Sequence, residues 1–150
     1  MSHYRERLSP SLWVFVSLAL VIPASIIVFA PLPTINGWLV GTVVGLVLYL
    51  GLIGAIWGLA PVLDVSSGTV RVGRATIPAD LLGECTAYRG EEAREQRGRL
   101  ADARAWLCIR GWVDPVVKMQ IADPLDPTPY WLVSTRRPSD FIDEVTASRT

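Results

Sequence analysis

The dominant feature of the hydrophobic pattern is a run of 56 residues, 8–63, without a single Asp, Glu, Lys, Arg or His. One bilayer-spanning helix needs about 20 apolar residues, so the run is long enough for two spans and a turn. The pattern predicts a cytoplasmic N-terminal lead over residues 1–11 and transmembrane helices over residues 12–30 and 37–61. The two prolines within residues 31–36 predict an external turn between the helices.

The first predicted helix contains Pro23 near its middle. Proline removes one backbone hydrogen bond, so we expect a bend there, which membrane helices commonly tolerate against a neighbouring helix. Asn36 is placed to cap the second helix. A secretory signal cleaved near Ala30 is the alternative; the apolar run is longer than a usual signal and a second span follows, which disfavours it.

Charges near the spans predict the orientation. Arg5 and Arg7 precede the first span, Arg71 and Arg74 follow the second, and the turn contains no Lys or Arg. Positive residues favour the cytoplasmic side, so we expect a multi-pass protein of the plasma membrane with both termini in the cytoplasm.

Glycines recur along the second span and form two faces about a quarter turn apart. Small residues at this spacing let helix backbones approach closely in lipid. One interpretation is that a single face packs on the first helix within the hairpin. The other is that a second face remains for a homo-oligomer or another membrane protein. The six candidate packing residues are Gly37, Gly41, Gly45, Gly51, Gly54 and Gly58.

From residue 62 the pattern changes to short apolar runs separated by turn residues, which is typical of β structure. A turn at Ser66, Ser67 and Gly68 predicts a hairpin of the first two strands. Residues 138–147 predict a C-terminal helix with Phe141 and Val145 on one side. The fold class is therefore a transmembrane helical hairpin plus a small, mainly β cytoplasmic domain, residues 62–150, a curled sheet or barrel closed by that helix. The predicted strands cover residues 62–66, 69–73, 75–78, 84–89, 106–110, 115–121 and 130–135.

Charge and composition narrow the function. The chain has 14 basic and 14 acidic residues, so its bulk charge does not favour nucleic acid as a partner. Cys85 and Cys108 lack a C-x-x-C spacing and His3 is the only histidine, which argues against a metal or other cofactor. We expect both thiols to be inert core residues, and the pattern contains no catalytic group.

Two arginines between the last strand and the final helix, Arg136 and Arg137, are a candidate anion site, because guanidinium groups and a helix N-terminus both hold phosphate or carboxylate. Together with Arg71 and Arg74 they predict a binder of anionic lipid headgroups or another small anion. The alternative is a structural role, in which they cap the domain or form ion pairs with Asp140, Asp143 or Glu144.

Two further polar segments have simpler interpretations. Residues 89–104 hold five Arg and four acidic residues without an apolar stripe, which predicts a solvated loop rather than a docking surface. Glu95 and Arg99 are nevertheless at a helical pairing distance. In residues 123–129 each Asp is followed directly by Pro, which is a common turn signature. We therefore interpret the two carboxylates as turn residues rather than as metal ligands or an acid/base pair.

The stretch YWLVSTRRP at residues 130–138, the lead YRERL at 4–8, the paired spans, and the segments VRVG at 70–73 and IP at 77–78 carry a resemblance. They resemble the actinobacterial membrane-protein family called domain of unknown function 3093. More distantly, the chain is similar to bacterial pleckstrin-homology-like (PH-like) membrane proteins, which implies a curled sheet closed by a C-terminal helix. It departs from them in lacking a net basic lipid-binding face.

These patterns favour a membrane-anchored interaction or assembly module that is not an enzyme. The alternative is the binder of anionic headgroups or another small anion. An enzyme would require a catalytic carboxylate, for which Asp114 and Asp123 are the candidates.

Overall fold

The computed structural model describes residues 4–33 and 36–149. Three parts of the chain lie outside the described residues: residues 1–3 of the predicted lead, which include His3; Thr34 and Ile35 of the predicted turn; and Thr150. The chain forms two compact units: a hairpin unit, residues 9–60, and a β unit made of the chain up to Leu8 and from Pro61 onward. The coarse prediction of two long apolar helices, a β-rich region and a C-terminal helix is confirmed.

The hydrogen-bond ladder of the first long helix of the hairpin unit is locally disturbed near Pro23, where a bend was predicted. The helix consists of α1 (Leu12–Ala19) and α2 (Val21–Phe29), separated at Leu20. Pro23 cannot donate to the carbonyl of Ala19, and its ring crowds that carbonyl, so the helical ladder is disturbed one turn before the proline. Leu20 keeps right-handed helical angles and donates instead to Ser17, at 3.3 Å.

The second long helix, α3 (Gly37–Gly58), is continuous and ends three residues before Pro61. The side-chain oxygen of Asn36 accepts a hydrogen bond from the Leu39 amide at 3.4 Å, which confirms the predicted cap. Both segments, Leu12–Phe29 and Gly37–Gly58, are long and apolar enough to cross a membrane.

The first sheet of the β unit, sheet A, contains four antiparallel strands in chain order. Three of them, β2 (Val62–Ser66), β3 (Thr69–Val72) and β4 (Ala75–Pro78), were predicted. The predicted turn is confirmed: Ser67 and Gly68 have positive φ angles of 51° and 75°, as a tight two-residue hairpin turn requires. The fourth strand, β1 (Tyr4–Arg7), was expected to be part of a polar lead.

Strand β1 pairs with β2, so the whole hairpin unit is inserted between two neighbouring strands. The register places Arg7 opposite Val62, and the Leu8 amide donates to the Pro61 carbonyl at 3.1 Å. The chain therefore leaves sheet A for α1 and returns from α3 at adjacent points.

Sheet B has the order β5-β7-β8-β6. Strand β5 (Leu82–Tyr88) follows a short 3-10 turn after β4, and β6 (Trp106–Cys108) precedes β7 (Val116–Ile121) and β8 (Tyr130–Ser134) in the chain. The pairs β5·β7 and β7·β8 are antiparallel, whereas β6 lies parallel to β8 at the edge. Two helices complete the unit: α4 (Gly90–Arg97) and α5 (Pro138–Ala147).

The prediction of a solvated loop over residues 89–104 is wrong for its first half, which is α4. Only Ala93 and Gln96 of this helix are buried, and Ala93 packs on Val116, Tyr130 and Leu132 of sheet B. Polar tertiary contacts hold the rest: the guanidinium of Arg97 contacts Asp114 at 3.3 Å. Such contacts join residues far apart in the chain, so the hydrophobic pattern did not predict this helix. The predicted pair of Glu95 with Arg99 is confirmed at 2.7 Å.

The main core of the β unit collects side chains from both sheets and from α5. Phe141 and Val145 of α5 are fully buried, as the helical pattern predicted, and the ring of Phe141 meets that of Tyr4 edge-on at 5.3 Å. Helix α5 therefore closes the core beside the N-terminal strand.

Candidate functional site

An acidic residue that was not predicted, Glu6, lies beside the predicted anion site at Arg136 and Arg137. Strand β1 alternates buried and exposed side chains, so Tyr4 and Glu6 point inward. Glu6 is 7 % exposed, and its carboxylate lies against the segment between β8 and α5. We call Tyr4, Glu6, Thr135 and the backbone amide of Arg136 the Glu6 network.

Both oxygens of the Glu6 carboxylate accept hydrogen bonds. Oε2 accepts from the hydroxyls of Tyr4 and Thr135, each at 2.6 Å, and Oε1 accepts from the Arg136 amide at 3.1 Å. The Thr135 hydroxyl oxygen also accepts from the Arg137 amide at 3.2 Å. These bonds join the first strand of the chain to the start of its last helix.

The energetic importance of this arrangement follows from the cost of burying charge. A carboxylate taken out of water without partners loses far more free energy than an ordinary contact returns. Hydrogen bonds to an ionised group are shorter and stronger than neutral ones, and the 2.6 Å distances belong to that class. Removing the carboxylate would leave the Tyr4 hydroxyl on β1, and two donors in the segment after β8, without their acceptor. The Glu6 network therefore favours one placement of β1.

The two arginines contact the network from outside. The Arg136 guanidinium lies 3.8 Å from Glu6 and donates to the Arg7 carbonyl at 3.4 Å. Arg137 lies over the Tyr4 ring, 5.0 Å from its centroid, and 3.9 Å from Asp140. The pairing of Arg137 with Asp140 was one of the structural alternatives, whereas the partner of Arg136 was not predicted.

The surroundings of Tyr4 change the pKa of its hydroxyl. Burial, reinforced by the hydrogen bond to Glu6, raises the pKa of the Tyr4 hydroxyl from 10.0 to about 12. The hydroxyl therefore stays protonated over the physiological range and remains a donor to Glu6.

The other two arginines of the predicted set lie on sheet A. Arg71 is on the exposed side of β3 and donates from Nε to the Gly73 carbonyl at 3.4 Å. Arg74 is exposed in the turn between β3 and β4. The four arginines are thus divided between the outer side of sheet A and the surroundings of the Glu6 network.

The glycines of α3 are also divided. The first three are buried against α2: a Cβ at Gly41 would lie 2.6 Å from the Ile26 Cα, one at Gly45 would lie 2.8 Å from the Ile22 Cα, and Gly37 meets the Phe29 carbonyl. For the last three, Gly51, Gly54 and Gly58, an added Cβ would meet nothing within 4 Å among the described residues beyond the adjoining backbone and chain neighbours of α3 itself.

The two cysteines and the candidate catalytic residue Asp114 have contacts typical of structural residues. Cys85 and Cys108 are free thiols, and burial raises the pKa of both. Asp114 accepts from the Gly90 amide at 2.8 Å and pairs with Arg97. Within residues 4–33 and 36–149, no three His, Cys, Asp or Glu residues form a group suited to a metal ion.

The predicted turns of residues 123–129 are confirmed. Asp123 accepts from the Leu125 amide at 2.9 Å and Asp126 from the Thr128 amide at 2.8 Å. Hydrogen bonds with Thr128 lower the pKa of the Asp126 carboxyl. Each carboxylate therefore closes its own turn.

The Glu6 network lies within a region that a family model recognises. The family described as "Protein of unknown function (DUF3093)" matches residues 3–145. The chain belongs to the DUF3093 family. The match runs from β1 to near the end of α5, so it includes both segments that build the network. No curated protein and no solved structure matches the chain.

Glu6 was not predicted as a buried residue, because the N-terminal lead was interpreted as polar chain outside the β domain. A signal was present: Tyr4 and Glu6 alternate with Arg5 and Arg7, which is the period of a strand with one buried side. Four residues are too short a stretch for that period to stand out from a charged lead.

Proposed function

We propose that this DUF3093 protein is a small integral membrane protein of the plasma membrane. Its two long helices span the bilayer, both termini are cytoplasmic, and the β unit has a PH-like fold. The β unit acts as a module for interaction or assembly and does not catalyse a reaction.

The pairing of β1 with β2 carries this proposal. These strands flank the hairpin unit in sequence and are hydrogen-bonded neighbours in sheet A. Strands on opposite sides of a bilayer cannot pair, so an even number of spans must separate them. Two spans satisfy this condition. Cleavage near Ala30 would remove β1 and Glu6 from the β unit, which argues against a signal peptide.

The surface of the hairpin unit supports lipid as its solvent. Large apolar side chains are widely exposed on both helices, including Leu12 at 81 %, Ile27 at 74 % and Trp38 at 67 %. The hydroxyls of Ser25 and Thr42 donate to the carbonyls four residues earlier, each at 2.8 Å. Polar groups satisfied within their own helix are compatible with a hydrocarbon environment.

The topology of the β unit supports the PH-like assignment. Sheet A is a four-stranded meander, and β5, β7 and β8 form a second antiparallel set. Helix α5 closes the core between them. Strand β6 is an addition at the edge of sheet B. Such a unit is a scaffold whose edges and loops are available for binding.

The assembly role rests on the second glycine face of α3. Gly41 and Gly45 contact the α2 backbone, whereas open space lies beside Gly51, Gly54 and Gly58. In lipid, a face of small residues allows another helix to approach closely. The partner helix belongs to a second copy of this chain or to another membrane protein.

Reporter fusions test the membrane topology. A fluorescent protein after Thr150 should fold in the cytoplasm, and alkaline phosphatase inserted after Pro33 should be active outside it. Exchanging the two reporters is the control and should silence both. An active phosphatase after Thr150, or release of the wild-type chain from membranes by alkaline carbonate, would contradict the proposal.

Crosslinking in native membranes, followed by purification in a mild detergent, tests the assembly role. We expect a stoichiometric second copy or membrane partner with the wild type, and its loss with Gly54→Leu. The matched control Leu46→Phe enlarges an exposed side chain of the same helix about a third of a turn away from the Gly51, Gly54 and Gly58 face, and should retain the partner. A wild type that remains a monomer without partners would refute this role.

A further inference from the structure

The outer side of sheet A has a definite composition. Strand pairing places Tyr4, Val65, Val70 and Ile77 in one inward row, all buried. Because side chains alternate along a strand, the next row faces outward. It consists of Arg5, Asp64, Arg71 and Thr76.

A second set of arginines marks one end of the sheet. Arg7 is the last residue of β1 and lies opposite Val62, the first residue of β2. Strand β3 ends at Val72 on the same side, where the Gly73 amide donates to the Val62 carbonyl at 2.9 Å. Arg74 follows in the turn. Arg7 and Arg74 therefore lie at the end where the chain leaves for α1 and returns from α3.

Arg71 extends toward the same end. Its Nε donates to the Gly73 carbonyl, two residues further along, so the guanidinium lies next to the turn that contains Arg74. We call Arg5, Arg7, Arg71 and Arg74 the arginine edge. All four residues are exposed.

The arginine edge has a net positive charge. Asp64 lies between Arg5 and Arg71 and is the single acidic residue among the outward positions of β1 to β4 that the structure describes. The other carboxylate of these strands, Glu6, points inward and is satisfied by its own network. The bulk neutrality of the chain therefore does not describe this edge.

We propose that the arginine edge is a docking surface for the anionic phospholipid headgroups of the cytoplasmic leaflet. The inference rests on the proposed membrane anchoring. Arg7 is five residues before α1, and five residues of extended chain reach at most about 18 Å. The attraction of a negatively charged leaflet acts over about 10 Å, and this short connection lets Arg7 reach that zone.

The positions of the four arginines favour a leaflet over a single small anion. They come from two strands and a turn along one edge, which suits several headgroups side by side. Arg136 and Arg137 are not part of this edge: their guanidinium groups contact Glu6, Asp140 and the Tyr4 ring. The proposed headgroup site therefore keeps Arg71 and Arg74 of the predicted set. It includes Arg5 and Arg7 in place of Arg136 and Arg137.

The test compares lipid selectivity of the full-length protein in proteoliposomes. Spin-labelled phosphatidylglycerol and phosphatidylcholine report, by electron spin resonance, the relative association constant of each lipid with the protein. Each basic residue near an anionic surface contributes about fivefold in binding. We therefore expect a clear preference of the wild type for phosphatidylglycerol, and a loss on the order of tenfold or more with Arg5→Gln/Arg71→Gln/Arg74→Gln.

The matched control is Arg89→Gln/Arg94→Gln/Arg99→Gln, which removes the same charge from exposed positions in and around α4. It should keep the preference. Raising the salt concentration should weaken the wild-type preference, since exposed charges are screened. Equal losses in both triple variants, or no dependence on salt, would overturn the inference.

Two further measurements distinguish the possible negative results. Soluble glycerol phosphate that abolished the preference at millimolar concentration would identify a small-anion site and refute the docking surface. Carbonate extraction identifies the source of a negative result. A chain that stays in the membrane without selectivity refutes the arginine edge alone, whereas a chain that is released refutes the anchor and the edge together.

Discussion

The hairpin unit and the β unit achieve close packing by opposite means. In the hairpin unit, α3 approaches α2 through Gly37, Gly41 and Gly45, so that backbone meets backbone. In the β unit, large side chains such as Phe141, Met119 and Leu63 fill the space between the sheets, and a buried carboxylate fixes the first strand.

The difference follows from the solvents that we propose for the two units. Water favours the burial of apolar side chains, so the β unit is stabilised in proportion to the apolar area it removes from water. Lipid offers no such gain, because its tails are as apolar as leucine, and helices associate there through close van der Waals contact. Four predictions test this comparison.

The largest expected effect concerns the side-chain core. Phe141→Ala should lower the free energy of unfolding of the β unit by about 3–5 kcal/mol, since a buried aromatic ring is replaced by a cavity. Urea unfolding of the full-length protein in detergent, followed by hydrogen exchange of the β7 amides, measures it. Asp143→Ala, on the exposed side of α5, is the control. A small effect of Phe141→Ala would remove the basis of the comparison.

The next effect concerns the Glu6 network. Glu6→Ala should destabilise the β unit by about 2–3 kcal/mol, because the Tyr4 and Thr135 hydroxyls and the Arg136 amide lose their acceptor. The same unfolding measurement applies. Arg5→Ala, on the outer side of the same strand, should change stability by less than about 0.5 kcal/mol.

A double-mutant cycle sharpens the result. Glu6→Gln and Thr135→Val should not be additive, with a coupling of about 0.5–3 kcal/mol for groups in one hydrogen-bonded network. Additive effects would show that β1 is held by its strand pairing alone.

The third prediction addresses the hairpin unit. Gly41→Ala should weaken the packing of α3 on α2 by about 1–3 kcal/mol, because the new methyl would lie 2.6 Å from the Ile26 Cα. Unfolding in bicelles, monitored by a distance probe between the two helices, measures it. Gly51→Ala introduces the same methyl into open space and should be neutral or slightly stabilising. Similar effects at both positions would mean that backbone contact does not hold the hairpin together.

The smallest effect is a pH dependence confined to alkaline solution. The pKa of Tyr4 is raised to about 12 in the folded protein, from the ordinary tyrosine value of 10.0 that applies to the unfolded chain. The folded protein therefore keeps a proton that the unfolded chain loses, so this contribution is complete below pH 10 and is lost as pH rises toward 12. Urea midpoints measured across this range should fall more steeply for the wild type than for Tyr4→Phe. Equal slopes would exclude Tyr4 as the group responsible.

The elements that could be predicted from the sequence are those with a strong local signal. The two apolar helices, the turn at Ser67 and Gly68, and the helix from Pro138 each depend on residues close together in the chain. The turns at Asp123 and Asp126 belong to the same class, because each side chain bonds an amide two residues away.

The elements that were missed depend on distant partners. Helix α4 has one apolar buried residue, Ala93, and is held by Asp114 and sheet B. The disturbance at Leu20, by contrast, follows from a local signal, because Pro23 cannot donate to the carbonyl four residues earlier.

The candidate sites divide in the same way. Arg136 and Arg137 were predicted from their place before the final helix, and Arg71 and Arg74 from their place after the second span. Their grouping depends on which strands are neighbours. Glu6 and Thr135 are 129 residues apart, and their hydrogen bond exists only because β1 lies in the β unit. Arg5 and Arg71 share a row only through the register of β1, β2 and β3.

The sequence by itself determined that the chain has two long apolar helices followed by short strands and a final helix, because composition and period are local properties. The tertiary structure decided that the hairpin unit is inserted between two paired strands, that Glu6 is buried, and which glycines meet another backbone. The physical reason is that hydrogen bonding between strands and close helix contact join residues far apart in the chain, and neither leaves a periodic trace in the amino-acid order.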